Sequence, residues 1–278
     1  MTDWREELAR FVAEAPGNVI GPERALAPEW AGLRLYEEPL VGTADAGDPL
    51  FAALQAPEAV GPWFRVPGDW LPGARTVLSF FLPFSRRVRE SNIPGRDPSG
   101  GWLHGRVEGQ AFLMEACRYL KARLEAEGYE AVIPCDCPEF WSVGRAGSNP
   151  RAWDPSASFT SVWSERHVAY VCGLGTFGLS RGLITEKGQC GRFGSLVTTA
   201  PFPATPRPYT GLYDYCTRCG ACAARCPAGA ISLAEGKAHP PCAAYLAETG
   251  RRFPPRYGCG KCQVGVPCMS RIPLGREK

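Results

Sequence analysis

The chain opens with an amphipathic pattern that predicts a helix from about Asp3 to Ala13. Its apolar residues recur three and four positions apart, on one face of such a helix: Trp4, Leu8, Phe11 and Val12. Thr2 or Asp3 can accept hydrogen bonds from the first turn, and the Pro16–Gly17 pair ends the helix.

Three later stretches have the β-branched and aromatic composition of strands: residues 75–84, 129–134 and 181–199. We expect the last stretch to form a hairpin, in which residues 183–185 pair with residues 196–198 around a turn at Lys187–Gly188. Helical patterns lie at about 109–127 and 162–172. Because strands and helices do not alternate regularly, the sequence predicts an α+β fold and not a doubly wound parallel sheet.

A Gly-x-Gly-x-x-Gly motif, formed by Gly173, Gly175 and Gly178, matches the letters of the dinucleotide-binding fingerprint. A true fingerprint follows a strand, opens a helix and has an acidic residue about 20 positions later. Here the preceding segment is at least as helical as extended in its pattern, and no acid lies near residue 198. We therefore expect the glycines to serve a tight turn or the close approach of backbone to a flat ligand.

Charge and hydropathy exclude two classes of partner. With 31 basic and 28 acidic residues, the net charge of +3 gives no electrostatic argument for nucleic acid. No apolar run approaches the roughly 18 residues of a membrane span, and the acidic N-terminus lacks the pattern of a signal peptide. We expect a cytoplasmic protein.

Cysteine is the unusual component, because the 278 residues include 13 of them and eight follow residue 215. An odd number in a long chain is not a secreted disulfide framework, and it favours metal ligation. The uneven placement predicts two domains, residues 1–205 and 206–278. The proline-rich residues 201–208 lie where a linker is expected.

The strongest motif is Cys-x2-Cys-x2-Cys-x3-Cys-Pro, which begins at Cys216 and ends at Pro227. This is the spacing of bacterial ferredoxins, in which three thiolates bind one 4Fe–4S cluster and the fourth binds another. A zinc site needs only four ligands and gives no reason for the third cysteine step followed by Cys-Pro.

Two clusters use all eight late cysteines. By the crossover rule, cluster 1 takes Cys216, Cys219, Cys222 and Cys268. Cluster 2 takes Cys226, Cys242, Cys259 and Cys262. Basic residues lie among these ligands, where they either tune the clusters and dock an acidic electron donor or form a solvated face: Arg218, Arg225, Arg256, Lys261 and Arg271.

The five other cysteines carry weaker patterns. Cys117 lies on the apolar stripe of the helix predicted at 109–127, as a small core residue. Cys135 and Cys137 form a Cys-x-Cys pair for which no further metal ligands are evident. Cys172 and Cys190 flank the glycine motif, where they are either packed or close to a cofactor.

The order of these motifs resembles the epoxyqueuosine reductases and their relatives, the corrinoid reductive dehalogenases. The resemblance covers roughly residues 105–268: a Glu165–Arg166 pair, the glycine motif, Leu196–Val197, the ferredoxin motif, an isolated Cys242 and then Cys259 and Cys262. It implies a nitroreductase-like, cobalamin-binding core followed by a small two-cluster ferredoxin-like domain. Electrons would pass through the clusters to cobalt.

The resemblance also implies site residues. A corrinoid pocket would include Gly173, Leu174, Gly175, Thr176, Gly178, Arg145 and Arg166. Candidate proton donors are Glu165, His167 and Tyr170, with His104 and Arg145 as further candidates. A small redox protein of the ferredoxin or flavodoxin type would supply electrons, and a small molecule or a corrinoid protein would receive them.

Three departures separate the chain from that pattern. Epoxyqueuosine reductases carry a proposed catalytic aspartate about six residues before the Glu-Arg pair, whereas residues 159–164 contain no carboxylate. We expect neither the C-terminal helical repeats nor the leader and membrane anchor of respiratory dehalogenases. A tRNA partner is therefore not expected. Two alternatives to a cobalamin-dependent reductase stay open: a non-enzymatic electron-transfer protein or reductive activator, and a core domain that binds a flavin.

Overall fold

A computed structural model describes residues 3–143 and 159–274. The helices are α1 (Trp4–Glu14), α2 (Pro49–Ala53), α3 (Pro67–Trp70), α4 (Arg86–Ser91), α5 (Gly100–Ala126), α6 (Glu165–Val171), α7 (Ala221–Ala224) and α8 (His239–Arg252). The longer strands are β1 (Leu40–Asp45), β2 (Thr76–Pro83) and β8 (Gly191–Thr198). Two-residue strands complete the fold: β3 (Ala131–Val132), β4 (Ser142–Val143), β5 (Thr160–Ser161), β6 (Thr176–Phe177), β7 (Leu183–Ile184), β9 (Ile231–Ser232) and β10 (Gly236–Lys237).

The core is an antiparallel sheet with the strand order β1-β2-β8-β3. All eight residues of β2 are buried, so both faces of this strand are covered. Leu78, Phe80 and Leu82 pack with α1 and α5 on one face. Val77 and Phe81 point to the other face, in the apolar clusters that include residues of α6. The predicted α+β fold is confirmed.

Several predicted elements have other bounds or partners. The first helix is capped by Asp3, as predicted, whereas α5 begins at Gly100 with Ser99 as its cap, nine residues before the expected start. The expected hairpin of residues 183–185 with 196–198 is wrong. β7 pairs with β6, and β8 lies between β2 and β3 in the central sheet. Only the turn at residues 185–188 is as predicted, with Thr185 and Gly188 hydrogen-bonded to each other.

The first glycine of the motif ends α6. Gly173 has a φ of +83°, its amide donates to the Tyr170 carbonyl, and the Leu174 amide donates to the Ala169 carbonyl. This hydrogen-bond pattern is a Schellman motif, in which the residue after the cap is left-handed and therefore favours glycine. The motif thus follows a helix, which is the reverse of the dinucleotide-binding arrangement.

The next glycine lets two chain segments touch. A Cβ atom on Gly175 would lie 2.0 Å from the Ile184 carbonyl oxygen, on the neighbouring strand β7. The proline-rich segment is held equally closely, because Thr205 donates through its amide to the Thr43 carbonyl of β1. The domain boundary at residues 205 and 206 stays a prediction.

We predict that Gly175→Ala destabilises the protein, because the added methyl group forces β6 and β7 apart. The expected loss is about 2–4 kcal/mol, or roughly 5–10 °C in the apparent Tm, measured by circular dichroism at one scan rate. Gly68→Ala in α3 is the matched control, since its Cβ meets nothing within 4 Å. Equal melting of the two variants would contradict the steric argument.

Candidate functional site

Four cysteines line one small cavity beside the β6–β7 hairpin. They are the first set: Cys216, Cys219, Cys222 and Cys268. Burial and the charges of the three other members raise the pKa of Cys268 to about 12, so the four sulfurs are electrostatic neighbours. Gly220, with a φ of +78°, turns the chain between Cys219 and Cys222 at the start of α7.

The glycine motif leads into this first set. Phe177 donates its amide to the Leu212 carbonyl, and the Thr176 hydroxyl accepts from the Tyr215 amide. The Leu179 amide lies 3.4 Å from the Cys216 sulfur, and Gly178 lines the same small cavity. The hairpin therefore holds the loop that carries the first cysteines.

The second set lines a different and much larger cavity: Cys226, Cys242, Cys259 and Cys262. This large cavity has a volume of about 640 Å³ and lies between the cysteine-rich segment and the α5–β8 side of the core. Burial and the charges of the three other members raise the pKa of Cys259 to about 11. In the part of the chain that the structure describes, no three His, Cys, Asp or Glu residues form a site for a single metal ion.

Gln189 connects the two sets. Its amide nitrogen lies 3.1 Å from the Cys268 sulfur and 3.3 Å from the Cys262 carbonyl oxygen. The Ser180 hydroxyl donates to the Gln189 oxygen over 2.9 Å, which orients the amide. One core side chain thus contacts a residue of each set.

Most of the basic residues among the cysteines attach this segment to the core. Lys261 is 1% exposed and donates to the carbonyls of Asn92 and Pro94, each at 2.8 Å. Arg225 donates to the Ile93 carbonyl over 2.7 Å, and Arg256 forms an ion pair with Glu108. Arg218 instead donates to the nearby Leu233 carbonyl, and Arg271 is exposed.

Glu165 lines the large cavity on the core side, at the start of α6. The Ser195 hydroxyl donates to one carboxylate oxygen over 2.7 Å, and the Cys135 thiol donates to the other over 3.0 Å. Trp163 in turn donates its indole N–H to the Ser195 oxygen over 2.9 Å. Burial raises the pKa of Glu165 to about 7, although both hydrogen bonds act in the opposite direction.

The other predicted catalytic side chains lie outside the large cavity. His167 contacts the Ser164 hydroxyl at 2.7 Å and the Phe177 ring, and burial with the nearby Arg166 lowers its pKa to about 4. Tyr170 packs among Phe177 and Tyr209. His104 is fully buried between the Leu26 amide and Glu108.

The predicted pocket residues are divided in the same way. Arg166 lines the large cavity, whereas the residues of the glycine motif do not. Leu174 is buried in an apolar cluster with Ala169, and Thr176 bonds to Tyr215. Their part in binding a cofactor stays a prediction. Arg145 lies outside the described residues.

Sequence reasoning missed a stripe along α5 that faces the large cavity: Trp102, Arg106, Gln110, Leu113 and Cys117. These residues are four and three positions apart, so they share one helix face. The signal was present in the sequence, but a helix that starts at residue 109 leaves out its first two members. Cys135, Arg192 and Gln189 had no pattern that would have identified them.

Two buried polar atoms in this wall have no hydrogen-bond partner among the described residues, namely the Trp102 indole nitrogen and the Arg106 Nε. Trp102 packs on the backbone around Cys259, since a Cβ on Gly260 would lie 1.8 Å from its ring. Buried donors are normally satisfied. Both atoms are almost fully covered by other protein atoms, so they are not themselves open to a ligand in the cavity.

The helices of the described ranges include none that is long and apolar enough to cross a bilayer.

Comparison with known proteins agrees with this arrangement. The 4Fe–4S binding domain family matches residues 212–232, and no curated protein matches the chain in sequence. Epoxyqueuosine reductase from Bacillus subtilis superposes with a TM-score of 0.52 at 17% identity, over 97% of this chain and 66% of that one. The enzyme from Streptococcus thermophilus gives 0.51 at 14% identity, over 98% and 68%. A catabolic reductive dehalogenase gives 0.53 at 14% identity, over 97% and 37%.

The chain thus spans about two thirds of the length of the epoxyqueuosine reductases and 37% of the dehalogenase. The resemblance that the sequence indicated is confirmed at the level of fold. With a match to the 4Fe–4S binding domain at residues 212–232, the chain has the iron–sulfur reductase-like fold of the epoxyqueuosine reductases and reductive dehalogenases. Its sequence has diverged widely from theirs.

Proposed function

We propose that the protein is an iron–sulfur reductase in which two 4Fe–4S clusters deliver electrons to a cobalamin in the large cavity. The first set of cysteines would hold cluster 1, and the second set would hold cluster 2. The observation that carries the proposal is the large cavity itself, because the second set forms one wall and Glu165 lies in the facing wall.

Two separate groups of four thiols suit two clusters, each of which takes four thiolates. The cavities give this grouping, and the charge interactions of Cys259 and Cys268 agree with it, while Cys222 of the first set also interacts with Cys262 of the second. Additional donors reach the sulfurs, namely the amides of Leu179 and Gln189 in the first set and the Ala230 amide, 3.3 Å from Cys226, in the second. Such hydrogen bonds raise the reduction potential of a cluster.

The direction of electron flow follows from exposure. Cys219 of the first set is exposed, whereas the second set borders the cavity. A small electron donor of the ferredoxin or flavodoxin type would therefore reduce cluster 1, and cluster 2 would be the nearer one to a ligand in the cavity.

The large cavity suits a flat, polar cofactor. Aromatic side chains such as Trp102 and Phe193 line it together with Arg106, Arg192 and two glycines of β8, Gly191 and Gly194. Cobalamin, when bound, supplies a redox-active cobalt that passes electrons to an organic substrate. The surrounding side chains would orient it and exclude water.

Glu165 is the side chain best suited to supply a proton to a reduced substrate. It reaches the large cavity, and a carboxyl group with a pKa near 7 is protonated in a useful fraction of molecules at neutral pH. The hydrogen bonds from Ser195 and Cys135 hold its two oxygens in place. Arg166, the next residue, lines the same cavity.

Iron analysis tests the cluster assignment. After anaerobic reconstitution we expect about eight irons per chain, and about four in Cys262→Ser or Cys219→Ser, because each variant loses one ligand of one cluster. Cys137→Ser is the matched control, since this thiol donates to the Ile133 carbonyl and belongs to neither set. A wild-type content well below eight, or an equal loss in the control, would rule out two clusters held by these cysteines.

Cobalamin binding tests the cofactor assignment. We expect one equivalent of hydroxocobalamin to remain with the anaerobic protein through gel filtration, with a changed visible spectrum. Met114→Trp should weaken retention, because the larger side chain would take up part of the cavity that Met114 lines. Its iron content provides the control for folding. Full clusters without retained cobalamin in the wild-type protein would instead favour a non-enzymatic electron-transfer protein.

Infrared spectroscopy tests the proton donor. The raised pKa predicts a protonated Glu165 carboxyl band at pH 6 that disappears with a midpoint of about 7 as the pH rises. The band should be absent from Glu165→Gln and present in Glu125→Gln, which changes an exposed carboxylate paired with Lys121. A titration midpoint below 5 would exclude Glu165 as an acid at neutral pH.

A further inference from the structure

Three arginines line the large cavity without a carboxylate partner among the described residues: Arg106, Arg166 and Arg192. Among the residues that the structure describes, two acidic side chains line the cavity, and neither pairs with these arginines. Asp136 is paired with Arg118, and Glu165 is held by Ser195 and Cys135. Buried or half-buried charge is costly unless an opposite charge accompanies it.

Arg192 is fixed by neutral acceptors only. Its guanidinium donates to the Gly105 carbonyl over 3.1 Å, to the Gln110 side chain over 2.6 Å and to the Arg106 carbonyl over 2.9 Å. These bonds use one N–H of each guanidinium nitrogen and leave the positive charge of Arg192 in the cavity wall. They also anchor the backbone of α5 at Arg106.

Arg106 is less satisfied than Arg192. Its Nε is buried and has no partner among the described residues, and its guanidinium carbon lies 4.5 Å from the centre of the Tyr257 ring. A ring face attracts the cation but accepts no ordinary hydrogen bond. Planar guanidinium groups bind carboxylate and phosphate through two parallel hydrogen bonds.

Arg166 has a different neighbour. It interacts electrostatically with Cys262 and Cys242, and Lys237, which also lines the large cavity, interacts with Cys262. These two cations face the second set and would balance an anionic cluster there. Arg106 also packs against the backbone at Gly258, beside Cys259, whereas Arg192 bonds to α5; neither arginine has a carboxylate partner among the described residues.

We propose that Arg106, supported by the charge of Arg192, binds an anionic oxygen group, a carboxylate or a phosphate, of a ligand in the large cavity. The proposal rests on the proposed function in that it concerns the same cavity. Two sources share this chemistry: the phosphodiester of a bound cobalamin, and the acidic group of a small organic substrate.

Binding of a fluorinated probe tests the site directly. With anaerobically purified protein of known iron content, 19F NMR should detect binding of 4-fluorobenzoate and much weaker binding of its neutral counterpart, 4-fluorobenzamide. Arg106→Gln should weaken benzoate binding at least tenfold, and Arg106→Lys should retain part of it. Arg5→Gln is the matched control, because this exposed arginine of α1 is far from the large cavity in the chain and does not line it.

Corrinoids distinguish the two sources. If the substrate supplies the anion, cobalamin-loaded protein still binds 4-fluorobenzoate and loses it in Arg106→Gln. If cobalamin supplies the anion, it displaces the benzoate, and Arg106→Gln weakens cobalamin binding at least tenfold but leaves binding of cobinamide, which lacks the phosphodiester, unchanged. Either result supports the proposal.

Two results would overturn it. One is equal binding of benzoate and benzamide. The other is an Arg106→Gln variant that binds both 4-fluorobenzoate and cobalamin as the wild type does. This includes the case in which neither protein binds 4-fluorobenzoate and both bind cobalamin equally. These two results can be distinguished from a failure of the proposed function. Iron content and cobalamin stoichiometry are measured on the same samples, and they test the proposed function independently of the anion site.

Discussion

The buried ammonium group of Lys261 holds the cysteine-rich segment against the core. A charge at 1% exposure is tolerated only when its donors are satisfied, and here the carbonyls of Asn92 and Pro94 satisfy them. Asn92 returns a hydrogen bond from its side chain to the Cys259 carbonyl over 2.8 Å. Because Lys261 lies between Cys259 and Cys262, the same contact fixes both cysteines in the wall of the large cavity.

The location of that cavity accounts for its unusual charges. It lies where the cysteine-rich segment meets the core, so neither part has to bury the charged groups within its own apolar centre. Burial of a group in that wall strengthens its electrostatic interactions. It keeps the Glu165 carboxyl protonated to a higher pH.

Local patterns in the sequence predicted the elements that local physics decides. The capped first helix and the buried strand at residues 76–83 depend on short spacings. The partner of β7 could not be predicted in this way, because residues 196–198 have a pattern that suits a hairpin and a central strand equally well. Their position between two other strands is decided by the whole sheet.

The glycine motif shows that a local pattern can also suggest a ligand where the packing of the chain itself explains the residues. Its letters suggested a ligand, but Gly173 ends a helix and Gly175 permits contact with Ile184. Both needs are internal to the chain, and only the neighbouring segments reveal them. Arg106 is the opposite case. In the sequence it is an ordinary helical arginine, and its lack of a carboxylate partner becomes evident only once α5, β8 and the cysteine-rich segment are brought together.

The order of the cysteines along the chain has a consequence for assembly. The second set, from Cys226 to Cys262, lies entirely within the stretch bounded by Cys222 and Cys268 of the first set. Cross-linking the inner loop shortens the free chain that the outer loop must close, and closing a shorter loop costs less conformational entropy. With two clusters on this framework, loss of the inner cluster would therefore loosen the attachment of Cys268 to the outer one.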